Sequence, residues 1–172
     1  NYPTYDPQNH AKVRDYSTFS NNVVTSQFEP GSGFKMFTMV GGLDSGKVKP
    51  TTTYTDTGEV KLDGYTINNS SDKKWGVQSM ADVIEKSLNT GVIFVLRSMG
   101  GNPDAITLAG KKLFHTYIQK FGFGKPTGIE QSGEASGMVN APSTVSGNNV
   151  NYANMTFGQG ISTTMIQMTA AA

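Results

Sequence analysis

The chain contains no cysteine. That excludes a disulfide framework, a thiolate nucleophile and a zinc–thiolate centre. Histidine is nearly absent too. His10 and His115 stand far apart without HExxH-type spacing, so no histidine metal cluster and no cofactor are expected. Charge of both signs is scarce, with 14 Lys and Arg against 13 Asp and Glu and a formal charge of +1. No basic surplus marks a nucleic-acid partner. Charged residues make up 16% of the chain, against roughly 25% in an average soluble domain. No apolar run approaches the ~18 residues of a membrane span, and no charged segment leads into an apolar one as in a signal peptide.

What fills the gap is Gly, Asn, Ser and Thr, the residues of turns and caps. The 172 residues suit one domain with a sizeable core. The chain opens abruptly at "NYPTYDP" and closes at "ISTTMIQMTAAA", inside what reads as a helix, so it is expected to be an excised piece of a larger protein.

The apolar pattern predicts a mainly helical piece with a small β element. Residues 1–30 are loop-rich, punctuated by Pro3, Pro7 and Pro30. "EPGS" feeds a helix over about 32–43, closed by Gly41, Gly42 and Gly46. β-rich residues on both sides of Asp56-Thr57-Gly58 predict a hairpin there, followed by the polar loop "NNSSDKKWG". Ser79 and Asp82 form a candidate capping box for one helix, and Val92 to Leu96 read as a second, more buried one, with Ser87, Leu88 and Asn89 at the junction. A third helix is expected from Asn102-Pro103 to Phe121, burying Ile106, Ala109, Leu113, Tyr117 and Ile118. A turn-rich stretch then leads to one final helix. Trp75 beside the polar loop reads as packing before groove lining.

One pairing could carry chemistry. Ser32 and Lys35 lie three residues apart at the opening of an apolar helix, on one face. A serine hydroxyl needs a base to become a nucleophile, and lysine is such a base only where burial lowers its pKa. Phe34, Met36, Phe37 and Met39 provide that surrounding. The spacing alone is more often an N-cap with a snorkelling lysine than a nucleophile with its base. Fifteen serines and twelve lysines give about one S-x-x-K by chance, and two more occur, Ser70/Lys73 and Ser71/Lys74, in the polar loop. S-x-N occurs at Ser20–Asn22, Ser87–Asn89 and Ser146–Asn148, and only the second interrupts apolar helices. No K-[ST]-G triplet is present; "KPTG" at 125–128 carries Pro126 in the wrong place.

In context, "FEPGSGFK" at 28–35 resembles the active-site segment of class B penicillin-binding proteins, the serine transpeptidases that cross-link peptidoglycan. "YPTYDP" at 2–7, "SLNTG" at 87–91, "FGFGKPTGIEQSGEASG" at 121–137 and "FGQGISTTMIQMTAAA" at 157–172 are similar to further stretches of that family, in its order. The resemblance implies residues 1–172 as a partial transpeptidase domain: the helical part of a penicillin-binding-protein/serine β-lactamase-like α/β fold, mainly α with a small β-hairpin, lacking most of the central sheet. It implies Ser32 as the nucleophile, Lys35 as its base, Ser87 as a proton relay to the leaving amine and Asn89 as a ligand for substrate amides that also holds Lys35 and Ser87. The Ser32 N–H would be half of the oxyanion hole. Implied partners are the D-Ala-D-Ala stem peptide, β-lactam antibiotics and a membrane glycosyltransferase, at the outer face of a bacterial cytoplasmic membrane. The sequons at Asn68, Asn69 and Asn154 would carry no glycan there. Gly33 and Leu88 depart from the usual threonine and serine, and the K-T-G strand is expected outside these residues. Competing expectations are a penicillin-sensing receptor, a class D-like β-lactamase and a module that keeps the fold without the chemistry.

Overall fold

The structure, a computed structural model, describes residues 7–71 and 73–172. Residues 2–6 of the "YPTYDP" stretch fall outside the described residues. The fold is arranged around α4 (Asn89–Met99), whose Val92, Ile93, Val95 and Leu96 are fully buried. A helix apolar on most of its circumference has to be enclosed; after the short α1 (Asn22–Thr25), the helices α2 (Lys35–Asp44), α3 (Met80–Glu85) and α5 (Leu108–Lys120) pack against it.

Gly41 and Gly42 do not close α2, as the sequence suggested, but sit inside it. A Cβ on Gly42 would overlap Val95, and one on Gly41 would lie 2.9 Å from Met99 and 3.1 Å from Tyr117. The helix propensity lost at glycine is exchanged for close approach of α2 to α4 and α5. At its other end α2 is tied down by Thr38, whose buried hydroxyl donates to the Thr156 carbonyl at 2.8 Å. Phe34, Phe37, Phe121 and Phe123 close the core beside it, with ring centroids 5.0–5.5 Å apart.

Helix α3 begins where expected, with Ser79 and Asp82 exchanging both capping-box bonds. Helix α5 does not. Its N-cap is Thr107, which accepts from Gly110 N–H at 3.2 Å, while Asn102 accepts from Asp104 N–H in a separate turn. The register follows the later cap, which leaves Ala109 exposed and Leu113 half-buried and puts Gly110, Phe114, Tyr117 and Ile118 inside.

The β content is also arranged differently. Strand β1 (Thr53–Asp56) pairs antiparallel with β4 (Gly76–Ser79), and β2 (Glu59–Leu62) with β3 (Tyr65–Asn68), giving two two-stranded sheets. The tight hairpin turns at Asp63-Gly64, where both residues have positive φ (48° and 84°), the geometry of a type I′ turn. The Asp56 side chain is committed elsewhere, so 57–58 links the sheets instead of closing a hairpin.

Two short helices, α6 (Asn149–Met155) and α7 (Met165–Ala171), stand where one was expected. Between them the chain is bound to earlier segments: Thr163 exchanges both backbone bonds with Phe28, and Ser162 with Met138. Buried Gln167 donates to the carbonyls of Lys125 and Ser136, each at 2.8 Å, fixing the 121–137 loop to α7. Among the described residues no helix is long and apolar enough to cross a membrane.

Candidate active site

Ser32 lies in a 3₁₀ turn, Gly31–Phe34, that runs directly into α2 at Lys35. In a 3₁₀ turn residues i and i+3 eclipse, so Ser32 and Lys35 share one face more closely than an α-helical start would allow. Ser32 is exposed, and its N–H stands in the first turn, where helical N–H groups lack intrahelical partners. The turn is held from below. Gly31, at φ +59°, donates to the Gly158 carbonyl at 3.0 Å, and Gly160 N–H donates to the Glu29 carboxylate at 2.8 Å. Gly158 lies so close that a Cβ there would overlap the backbone of Gly31.

Lys35 is 3% exposed. Its Nζ donates to the Ser87 carbonyl at 2.6 Å and to Ser87 Oγ at 2.9 Å. Burial lowers its pKa from 10.5 to about 8. A neutral amine has two N–H bonds and one lone pair. With both N–H bonds directed at Ser87, the lone pair is what remains to accept a proton. Lys35 and Ser87 are therefore brought together across 52 residues of sequence.

Ser87 has φ +54°, one of two described non-glycine residues with positive φ. Its N–H donates to the Ile84 carbonyl at 3.2 Å, and Leu88 N–H donates to the Val83 carbonyl at 2.9 Å. These two bonds form a Schellman motif closing α3, with serine at the left-handed position usually given to glycine. That turn aims both the carbonyl and the hydroxyl of Ser87 at Lys35.

Asn89 opens α4 and points the other way. Its Nδ2 donates to the Asn68 carbonyl at the end of β3, 2.8 Å away. The structure thus ties Asn89 to the wall of the cleft rather than to Lys35 or Ser87, and leaves its Oδ1 free to accept. A cavity of about 490 Å³ lies between β3 and α6, lined among others by Ser32, Tyr65, Asn68, Asn89, Asn154 and Phe157. No acidic or basic side chain stands among its described lining residues. Trp75 is away from it, half-buried under the ammonium groups of Lys73 and Lys86. Ser71, Lys73 and Lys74 are solvent-exposed, and Ser146 is in an exposed turn before α6.

The penicillin-binding-protein transpeptidase-domain model matches residues 1–172. The chain belongs to this family. Similar relatives of the transpeptidase domain are stage V sporulation protein D of Bacillus subtilis, 34% identical over 98% of this chain and 24% of that protein, and peptidoglycan D,D-transpeptidase FtsI of Escherichia coli K12, 27% identical over 98% of this chain and 26% of that protein. The chain thus spans about a quarter of the length of these curated relatives. Among solved structures, penicillin-binding protein 3 of Mycobacterium tuberculosis in complex with ampicillin superposes with a TM-score of 0.79 at 26% identity, covering 98% of this chain and 35% of that one.

Two features of this transpeptidase domain escaped the sequence. The strained turn at Ser87 carries no local signal beyond the absence of glycine. The second is a buried network behind Asn89. Asp56, 2% exposed, accepts from Thr90 Oγ1 at 2.6 Å, Asn69 Nδ2 at 2.9 Å, Gly58 N–H at 3.1 Å and Trp75 N–H at 3.0 Å. Burial works to raise the Asp56 pKa, but these four bonds outweigh it and hold the carboxyl below its ordinary value. A lone Asp in "YTDTG" is read first as a turn residue, so no local pattern pointed to the network.

Proposed function

We propose that the protein of which this chain is part is a peptidoglycan D,D-transpeptidase acting through an acyl-enzyme on Ser32. The observation that carries this reading is the buried Lys35, with both of its amine donors on Ser87 and its base form accessible near neutral pH. Lys35 takes the Ser32 proton as Oγ bonds to the carbonyl carbon of the penultimate D-Ala. The Ser32 N–H receives the developing oxyanion, and each such donor lowers the barrier by ~3 kcal/mol. The C–N bond then breaks. Ser87 passes the proton from Lys35 to the departing amine, and terminal D-Ala leaves. The amine of a second stem peptide attacks the ester and loses its proton through Ser87 to Lys35, which returns it to Ser32 Oγ as the ester C–O bond breaks and the new peptide bond is left. The free Oδ1 of Asn89 accepts a substrate amide N–H, and its remaining N–H is available to a substrate carbonyl. A β-lactam enters the same path, its strained amide opening to a stable ester. No resident metal or cofactor takes part.

The second oxyanion donor and the group that holds the substrate carboxylate belong to a K-T-G strand outside these 172 residues. With that remainder the protein works at the outer face of the cytoplasmic membrane, beside a glycosyltransferase that supplies glycan strands. A penicillin-sensing receptor or a class D-like β-lactamase would share the acylation and differ in the lifetime of the ester.

The test is intact mass after exposure of the full-length protein to benzylpenicillin, at several pH values. An adduct that Ser32→Ala abolishes and Lys35→Ala slows strongly is expected. Its rate of formation should rise with pH through about 8, because Lys35 becomes a base only on losing its proton there. Persistence of the adduct separates a transpeptidase or sensor from a β-lactamase. An adduct that survives Ser32→Ala rejects the assignment.

A further inference from the structure

The donor order in the network behind Asn89 is determined by its chemistry. Thr90 has one hydroxyl proton. Its shortest contact, 2.6 Å, is to Asp56 Oδ1, so Thr90 Oγ1 donates there and accepts from the Tyr54 hydroxyl 2.9 Å away. Thr90 N–H donates to Asn69 Oδ1 at 3.2 Å, while Asn69 Nδ2 donates to Asp56. One carboxylate therefore joins β1, the link at Gly58, the end of β3, the Trp75 segment and the first turn of α4.

Two of these partners stand at the cleft: Asn69 lines it, and Thr90 is next to the lining residue Asn89. Asn69 follows Asn68, whose carbonyl receives the Asn89 amide, and Thr90 follows Asn89. The peptide units on both sides of the Asn89–Asn68 bond are thus fastened to the same buried acid. Buried and satisfied networks of this kind rigidify, whereas losing one member leaves charged or polar groups unpaired.

We infer that Asp56 is a positioning residue that, through Thr90 and Asn69, aims the Asn89 amide at the acylamino side chain of the acylating substrate. This rests on the transpeptidase reading above, in which Asn89 binds substrate amides. Asp56 touches no reacting atom. It acts on specificity, favouring ligands with an amide next to the scissile carbonyl over ligands without one.

The experiment compares two β-lactams on the full-length protein: benzylpenicillin, which carries an acylamino side chain, and 6-aminopenicillanic acid, which has a free amine in its place. Asp56→Asn keeps the size but offers one acceptor oxygen and turns an amide N–H toward groups that themselves donate. Thr90→Val removes the hydroxyl and keeps the shape, and serves where Asp56→Asn folds poorly. Misplacement by an ångström costs up to about a hundredfold in rate. The ratio of acylation rates, benzylpenicillin over 6-aminopenicillanic acid, is expected to fall about tenfold or more in both variants. Thr90→Ser, which restores the hydroxyl, should recover it. An unchanged ratio, or an equal loss for both ligands, overturns the inference, since a merely weakened fold lowers both rates alike. So does a Thr90→Ser variant as impaired as Thr90→Val. Wild-type protein that forms no adduct, or an Asn89→Ala variant that keeps the ratio, instead refutes the reading of the site on which the inference rests.

Discussion

A left-handed backbone costs a residue with a β-carbon ~1 kcal/mol relative to glycine, and Ser87 bears that cost at φ +54°. The Schellman bonds of α3 would accept glycine there without strain. What glycine lacks is the hydroxyl 2.9 Å from Lys35 Nζ. Stability and reactivity should therefore move in opposite directions at this position. Ser87→Gly is expected to leave the fold as stable as before or to gain up to ~1 kcal/mol in urea denaturation. Ser32 acylation in the same variant should drop by about a hundredfold, the scale of a lost general acid–base group. Loss of stability in Ser87→Gly would mean that the serine is retained for structure.

At the scale of elements, the position of Ser32 depends on how one loop lies on another. The 3₁₀ turn carrying Ser32 rests on Gly158, and Gly31 N–H and the Gly158 carbonyl meet at 3.0 Å. Gly158 has φ +79° and no room for a Cβ against Gly31. Gly158→Ala therefore meets both a strained backbone and a backbone overlap, and the Ser32 turn has to shift. The expected cost is about 1–3 kcal/mol of stability, with a larger proportional loss of acylation, read by thermal melting and intact mass on one preparation. Wild-type acylation in a folded Gly158→Ala protein would show that the loop contact does not position Ser32. Such contacts explain what the sequence left hidden. Elements fixed by nearby residues were legible: the Ser79/Asp82 cap, the buried run at 92–96 and the S-x-x-K turn beside an apolar helix. Elements fixed by distant partners were not. β1 finds β4 across some twenty residues, Gly41 and Gly42 are set by Val95 and Met99, and Thr107 displaces Asn102 as a cap because of what α5 must bury. In the site, the spacing of Ser32 and Lys35 was visible but did not by itself separate a nucleophile and base from a cap and a snorkelling lysine, and the direction of Asn89 follows from Asn68, on a strand whose hairpin turn was misplaced by several residues.

Taken as a whole, the molecule holds Ser32, Lys35 and Ser87 on one side of a closed core. The interior around α4 is closed, with Phe34, Val83, Leu96 and Ile161 fully buried, so the 172 residues have enough apolar contact to hold α2 and the α3–α4 turn together. Ser32, Lys35 and Ser87, to which the proposed mechanism gives its steps, therefore stand in place within this chain. The outer side of α2 is different: Met36 and Val40, one turn apart, are 43% and 46% exposed. The cleft is lined by the Ser32 turn, β3, Asn89 and α6, and no K-[ST]-G occurs in the sequence, so in the proposed mechanism the second oxyanion donor is not supplied by these residues. Removing one such donor costs about 10²–10³ in rate. The isolated chain should consequently take up benzylpenicillin on Ser32 at least about a hundredfold more slowly than the full-length protein, while its circular dichroism still reports folded helix. Raising the β-lactam concentration should recover the occupancy lost with the carboxylate-holding group but not close that gap, because the lost oxyanion donor acts in the transition state. Equal saturating rates for the two proteins would mean that the residues described here form a complete acylation site, and that the missing strand serves only to hold the acceptor.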